Sequence, residues 1–331
     1  MKFLFLTDTH IRNTNPQGRK DNFFETVFKK LDEIIEIAQE KNVDAVLHGG
    51  DLFDRPDTPP SLVREVVIRL KKIDVPIYMV AGNHDIYGQN PNTIKRTMIG
   101  LLDSMGIIKL INPEEKVFLK KNGVTVRLTG THYSYNLDKE GKISGYVVKK
   151  DDCDVAIHMV HGMLLEKPLF HTAYCTTIDE ILSTQADITL SGHYHSGYGI
   201  KYVNGRYFVN PGSIVRIDSS LIEISRMPKV SFIKIEKDII IENITLKSAL
   251  PGYEILDRTK LEEMEFKEKK LAEFIQSVNS ASNFKSYDFT AILNEISQKN
   301  NIKKEVVEEA LKKIEQAQID FSFDGEDLEV I

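Results

Sequence analysis

The chain has 331 residues, of which 41% are hydrophobic and 28% charged, and it carries a net charge of −6 at neutral pH. This is an ordinary globular composition with room for one large α/β domain, alone or with a smaller appendage, and no apolar run approaches the roughly 18 to 20 residues that span a bilayer. The acidic balance offers no bulk attraction to nucleic acid or anionic membrane, so any polyanion contact has to be local; carboxylates that bind cations also count as negative in such a sum.

In chain order, Lys2 to Thr7 reads as a first strand, because Asp8 arrives too early for the apolar region of a secretory signal. Phe24, Val27, Phe28, Leu31, Ile34, Ile35 and Ala38 recur at helical spacing, and Val43 to His48 reads as a second strand. Leu62, Val63, Val66, Val67 and Leu70 mark a second helix, followed by strands over Pro76 to Ala81 and Ile107 to Ile111. This βαβαβα alternation predicts a mostly buried sheet with helices on its faces. The later half is richer in antiparallel strands. Lys116 to Lys121 and Val124 to Gly130 flank Asn122-Gly123, while Tyr198 to Val203 and Arg206 to Asn210 flank Asn204-Gly205; both Asn-Gly pairs are hairpin signals. A third pair is Val230 to Ile235 with Ile239 to Leu246, and Val155 to Val160 and Ile188 to Leu190 are short apolar strands. The composition shifts near Pro251-Gly252, which divides the chain into a domain over 1–248 and a C-terminal helical region over 249–331. That region holds charged or amphipathic helices over Leu261 to Ile275 and Ile302 to Ala317, the latter with an apolar stripe at Val306, Val307, Ala310, Leu311 and Ile314. Cys153 and Cys175 form neither a CxxC nor a disulfide framework, and a reducing, cytoplasmic setting is expected.

The residues just past the strands carry the chemistry, since ligands of α/β sheets gather outside the carboxyl ends of strands. There the chain places Asp8-Thr9-His10, then Gly49-Gly50-Asp51-Leu52-Phe53-Asp54-Arg55, then Gly82-Asn83-His84-Asp85, then His161-Gly162, then Gly192-His193-Tyr194-His195. A single Asp or His in such a place is ordinarily a turn former or a satisfied loop residue. Five in register, several beside a glycine that lets backbone approach closely, point to one ligand. Carboxylate, amide oxygen and imidazole without thiolate suit a binuclear centre of Mn²⁺, Fe or Zn²⁺ better than a Cys-rich structural site. Seven side chains, Asp8, His10, Asp51, Asn83, His161, His193 and His195, suffice for two ions if one carboxylate bridges. Two ions about 3.5–4 Å apart can hold a phosphate ester, activate a water and stabilise the attacking and leaving oxygens.

The order DxH, GDxxD, GNHD, HG, GHxH over residues 8 to 195 resembles the calcineurin-like metallophosphoesterase superfamily. The resemblance implies an α/β fold, a two-sheet sandwich flanked by helices, with a small C-terminal helical module. It implies that Asp8, His10 and His195 hold one metal and Asn83, His161 and His193 the other, with Asp51 bridging. His84 would touch the phosphate or protonate the leaving oxygen, and Asp54 would orient His84. Within the superfamily, "HGGDLFDRPDTPP", the helical insert before "VAGNHD", the later "SMGIIKLI" and the turn "YFVNPGSIVR" are similar to the Mre11/SbcD branch. That likeness implies a manganese-dependent DNA exo/endonuclease of DNA repair or processing, working with an SMC-like ATPase of the Rad50/SbcC type, with a homodimer also to be tested. Asp54 matches the bacterial pattern, since archaeal and eukaryotic members of the branch tend to carry His there. The C-terminal helices would then dock the ATPase coiled coil rather than act only as a lid.

Arg55 brings in an alternative: GDxxDR with GNH is also similar to the serine/threonine phosphatases, in which that Arg binds phosphate. A phosphoesterase for small phosphodiesters or phosphoproteins is therefore the rival enzyme, and a non-catalytic adaptor has no need of seven ligands plus His84. Arg12, Arg19 and Lys20 after the first ligand pair, and Lys95 and Arg96 after GNHD, are candidate contacts to a nucleic-acid backbone. Among the other histidines, His48 precedes the Gly49-Gly50 turn and is a candidate support behind the metal ligands with an ordinary turn-side residue as the alternative, His158 reads as packing on the strand face opposite His161, and His132 and His171 read as loop surface.

Overall fold

The computed structural model describes residues 1–139, 141–168, 174–259 and 302–313, with scattered positions between 262 and 297. Its elements in chain order begin with β1 (Lys2–Leu6), α1 (Phe23–Lys41), β2 (Ala45–His48), α2 (Pro60–Leu70), β3 (Ile77–Met79), α3 (Met98–Ser104) and β4 (Lys109–Leu110). They continue with β5 (Val117–Lys121), β6 (Val124–Thr131), β7 (Val155–Gly162), the short β8 (Leu164–Leu165) and β9 (Thr176–Thr177), and β10 (Ile188–His193). Last come β11 (Gly199–Val203), β12 (Arg206–Asn210), α4 (Leu221–Ser225), β13 (Lys229–Ile235), β14 (Ile239–Thr245) and α5 (Gly252–Ile255).

Two six-stranded mixed sheets result, in the orders β14-β13-β1-β2-β3-β4 and β11-β12-β10-β7-β6-β5. In each, four parallel strands carry antiparallel partners at the edges. The hairpins form where Asn-Gly predicts them, because both turn residues take the left-handed backbone such a turn demands: φ is 53° and 78° at Asn122 and Gly123, and 49° and 79° at Asn204 and Gly205.

Strand alternation sorts the core into layers. Phe3, Phe5, Ala45 and Leu47 of the first sheet meet Val126, Leu128, Ile157, Met159, Ile188 and Leu190 of the second in the sandwich interior. Leu4, Leu6 and Val46 face the other way, against Phe23, Val27, Leu31 and Ile34 of α1 and Leu62 and Val66 of α2. Helix α1 starts where the Asn22 side chain accepts a hydrogen bond from the Glu25 N–H, and it stops at Asn42 in left-handed backbone with φ 51°. On β7 the same parity sends Ile157, Met159 and His161 toward the interior and His158 and Val160 outward, so His161 stands at the rim of the sandwich with the apolar row behind it.

The chain divides into compact units over Met1–Glu262 and Glu263–Ile331. The boundary expected at 248/249 lies inside the first unit, because the next segment packs there: Ile255 and Leu256 are buried, and the Lys20 and Asp257 N–H groups bond to the carbonyls of Ile255 and Gly18. Of the two expected C-terminal helices, the first lies largely outside the described residues, and the second is described over 302–313 and helical from 304, with Val306 exposed, Val307 buried and Ile314 outside the described residues. No helix among the described residues is long and apolar enough to cross a membrane.

Phe5 is fully buried between the sheets. Phe5→Ala is expected to remove about 3–5 kcal/mol of stability by leaving a cavity there, whereas Tyr253→Ala at an exposed position should change it by less than about 0.5 kcal/mol; urea unfolding of both variants checks the contrast.

Candidate metal centre

At the carboxyl ends of β1, β2, β3, β7 and β10 the backbone turns sharply, and four of the turning residues are Asp8, His10, Asp51 and His193, with φ of 53°, 42°, 54° and 76°. Such values are costly for residues with a side chain and persist only where the surroundings over-determine them. Here they do. The N–H groups of Asp8, Thr9, His10 and Ile11 donate to the carbonyls of Gly50, Asp51 and Leu52, tying the first loop to the second. The His193 N–H donates to both Asp8 carboxylate oxygens, and the His84 N–H donates to Asp51 Oδ1 at 2.8 Å. Glycines bring the loops this close, since a Cβ on Gly50 would collide with the His161 ring and one on Gly82 with the Asp51 carboxylate.

The side chains meet in two groups, Asp8, His10, Asp51 and His195 in one and Asp51, His161 and His193 in the other, the candidate ligand atoms within each group all lying within 4.8 Å of one another. His10 Nε2 lies 3.0 Å from His195 Nε2 and 3.6 Å from Asp51 Oδ2. His161 Nε2 lies 3.3 Å from Asp51 Oδ2 and 3.1 Å from Asn83 Oδ1. His161 Nδ1 donates to the Gly49 carbonyl at 2.7 Å, which leaves Nε2 with its lone pair toward the cluster. Asp51 Oδ2 is buried without a hydrogen-bond partner. Converging nitrogen and oxygen donors around such an oxygen fit divalent cations, with hard-to-borderline ligands and Asp51 common to both groups.

Electrostatics give the same picture. Burial would raise the Asp8 and Asp51 carboxyls, but facing imidazoles, His10 and His195 for Asp8 and chiefly His161 for Asp51, hold both well below the usual carboxylate range. Burial would lower the imidazoles, yet the carboxylates of Asp54, Asp8 and Asp51 lift His10 to about 10, and those of Asp51 and Asp8 lift His161 to about 9. His193, buried and beside the His161 charge, is pushed down to about 4.

A calcineurin-like phosphoesterase family model matches residues 1–197, which contain every one of these side chains. The chain belongs to that family. Within it, the chain is similar to the Mre11-type branch: it is 28% identical to the DNA double-strand break repair protein Mre11 of Methanosarcina acetivorans over 61% of this chain and 31% of that one. It is 25% identical to the protein of the same name from Archaeoglobus fulgidus over 82% of this chain and 62% of that one. It therefore spans less than two thirds of the length of either relative. A dimetal phosphatase from Danio rerio shares the fold at a TM-score of 0.50 and 11% identity, covering 76% of this chain and 98% of that one.

Several expected roles change in the structure. The Asp54 carboxylate does not orient His84: it turns to Arg12 at 3.1 Å and toward His10 Nδ1 at 3.7 Å, and it is the Asp54 main-chain carbonyl that meets His84 Nδ1 at 2.9 Å. Arg19 is no substrate contact, because its side chain is fully buried against Asp21 and the Arg216 carbonyl. Arg55 is exposed and paired with Asp57, Arg12 is half-buried, and Lys20, Lys95 and Arg96 are exposed. His48 supports the second loop, its Nδ1 accepting from the Gly50 N–H at 3.1 Å and its Nε2 meeting Thr9 Oγ1 at 2.6 Å. His158 packs outward between Thr129 and the Gly145 carbonyl. His132, expected at the surface, is buried because the turn after β6 is bonded to the segment past β3: its Nδ1 accepts from the Ala81 N–H, and the Tyr133 N–H donates to the Ala81 carbonyl. His171 lies outside the described residues.

Two further residues belong to the site. The buried Asp85 carboxylate accepts four main-chain N–H groups, from Asp51 and Gly82 on one oxygen and Leu52 and Phe53 on the other. Burial, and then the Asp51 charge, push it up to about 7. The Tyr133 ring centroid lies 5.1 Å from that of His193 and 6.1 Å from that of His161. Asp85 closes the GNHD motif, and Tyr133 follows the end of β6; position past a strand was the available signal for both.

Replacing Asp85 by Asn puts an amide donor against main-chain donors, and is expected to cost about 1–3 kcal/mol for the groups left unpaired and to lower bound metal, measured by unfolding and by elemental analysis. In chelator-treated protein, the raised His10 and His161 stabilise the fold fully below the unfolded imidazole value of about 6.5 and stop doing so as pH rises through about 9 and 10. The depressed Asp8 and Asp51 act in the opposite sense, losing their contribution as pH falls below the usual carboxylate range. The Tm of chelated protein should therefore fall more steeply between pH 7 and 10 than that of manganese-loaded protein; parallel curves would contradict this charge assignment.

Proposed function

We propose that the protein is a two-metal phosphodiesterase of the Mre11/SbcD type, a manganese-dependent DNA exo/endonuclease of DNA repair. The observation that carries this reading is the convergence of Asp8, His10, Asp51, Asn83, His161, His193 and His195 from five strand ends around the Asp51 carboxylate. In it, Asp8, His10 and His195 would hold one ion and Asn83, His161 and His193 the other, with Asp51 shared between them. Ions bound there would supply Lewis-acid polarisation of the phosphoryl oxygens and lower the pKa of a water. The chain's own residues position and protonate. His84 is half-buried beside His10, with ring centroids 4.7 Å apart, and its Nδ1–H is engaged by the Asp54 carbonyl, so that when the ring is protonated at both nitrogens it is Nε2–H that delivers a proton to the leaving oxygen.

DNA as the substrate is supported by the similarity to relatives named for DNA double-strand break repair. A cleft beside Asp54 lined by Arg12, Asn13, Thr14 and Arg55 offers cations to a phosphate backbone, as does the exposed Lys20. Binding through so local a basic surface should weaken with salt only in proportion to the few phosphates it contacts. The C-terminal region, with Val306 exposed on the 304–313 helix, serves in this reading as the docking segment for an SMC-like Rad50/SbcC-type ATPase in the cytoplasm.

The test is cleavage of end-labelled single- and double-stranded DNA with manganese. His84→Ala should retain both ions and lose about 10²–10⁴ in rate, while Asp51→Asn and His193→Ala should lose metal and activity together. Turnover of a bis-aryl phosphodiester with DNA left intact would move the substrate to small or protein-bound phosphate esters, and loss of both ions in His84→Ala would contradict its role.

A further inference from the structure

Past the end of β12 the segment Pro211-Gly212-Ser213-Ile214-Val215-Arg216 runs between the two sheets and touches both sides of the centre. Ser213 is fully buried. Its Oγ accepts from the Val215 N–H at 3.1 Å, so its own hydrogen goes to the Asp8 carbonyl at 2.7 Å. Its N–H donates to the His195 carbonyl at 2.9 Å. One residue thus joins the main chain of Asp8, just past β1 of the first sheet, to that of His195, just past β10 of the second. Asn210 strengthens the tie, donating to the Tyr194 carbonyl and accepting from the Gly212 N–H.

The other side of the segment is held by cations. Its four consecutive carbonyls are all taken: Ser213 O by Arg226 Nη1 at 2.7 Å, Ile214 O by Lys30 Nζ at 2.9 Å, Val215 O by Arg226 Nη2, and Arg216 O by Arg19 Nη1 at 3.1 Å. Asp21 pairs with Arg19 and Glu223 with Arg226, while Lys30, 1% exposed, and Arg216, 0% exposed, bond to main-chain carbonyls. Burial, and then the charges of Arg19, Arg216 and Arg226, push the Lys30 ammonium down to about 7. Collecting so many cations away from water opposes folding. What the arrangement secures is the position of one short segment, and through Ser213 the position of Asp8 in its left-handed backbone.

We infer that Ser213, held by the Arg19, Lys30 and Arg226 carbonyl clamp, is a positioning residue that sets the affinity of the Asp8, His10 and His195 half of the centre independently of the Asn83, His161 and His193 half. The inference rests on the two-metal reading above. Ser213 touches Asp8 and His195 of the first group, and none of its hydrogen bonds in the described structure reaches the second. Losing the hydroxyl leaves the Asp8 carbonyl and the Val215 N–H without this partner and removes one of the ties on the Asp8 turn.

The experiment is a manganese titration followed by the electron paramagnetic resonance of free Mn²⁺, which counts bound ions and their affinities without substrate. Wild-type protein should bind two ions. Ser213→Ala should bind one as wild type does and the other at least tenfold more weakly, Ser213→Thr should restore the second, and Lys30→Met should weaken the same single site in a protein that still binds the first. Equal weakening of both sites in Ser213→Ala, unchanged binding, or failure of Ser213→Thr to restore the weakened site would overturn the inference and leave the two-metal reading standing. Fewer than two ions in wild type would overturn both.

Discussion

The structure depends on backbone held in the left-handed region at the ends of its strands. Asp8, His10, Asp51 and His193 all adopt it, at roughly 1–3 kcal/mol each for residues that are not glycine. Ordinary extended backbone would continue the alternation of the strands and send successive side chains to opposite faces. The left-handed turn breaks that alternation and lets residues from two sheets aim at one space. No single loop can maintain this alone, and the loops hold one another: the first by the carbonyls of the second, the second by the Asp85 carboxylate, and both sheets by Ser213.

The same dependence orders the electrostatics. Nine histidines are present in the chain, and burial by itself lowers the affinity of an imidazole for its proton. For His10, His48, His132, His158 and His161 the direction is decided by what faces each. His10 and His161 face carboxylates and are lifted to about 10 and 9, while His48, His132 and His158, buried among hydroxyl and main-chain groups, fall to about 4. The first kind hold charge that a divalent cation can replace. The second kind, kept neutral, accept or donate single hydrogen bonds and lock the scaffold around them.

Much of this was legible in the chain because it is local. Period-two and helical spacing located the strands and the first two helices, Asn-Gly located two hairpins, and parity along β7 separated inward His161 from outward His158. The ligand-type residues stood out because each follows an apolar run. Roles that depend on a distant partner were not legible. Arg19 read as a surface cation until the Arg216 carbonyl and Asp21 enclosed it, His132 read as loop surface until the Ala81 N–H past β3 engaged it, and Asp54 changed partner because its main chain and its carboxylate face different ways. The boundary near residue 248 moved for the same reason, since composition does not report that Ile255 and Leu256 are buried against the first unit.

By itself the sequence determined which strands form, which residues stand at their ends, and that those residues are oxygen and imidazole donors suited to divalent cations. These follow from patterns within a few residues, where spacing and side-chain chemistry suffice. The tertiary structure alone decided that the five strand ends share one buried space, which imidazoles face carboxylates, and that four consecutive carbonyls of residues 213–216 are gripped by Lys30 of α1 and by Arg19, both distant in the chain, and by the nearer Arg226. Those outcomes depend on long-range approach and on burial, which strengthens charge interactions and removes the alternative of water, and neither is written in any short stretch of residues.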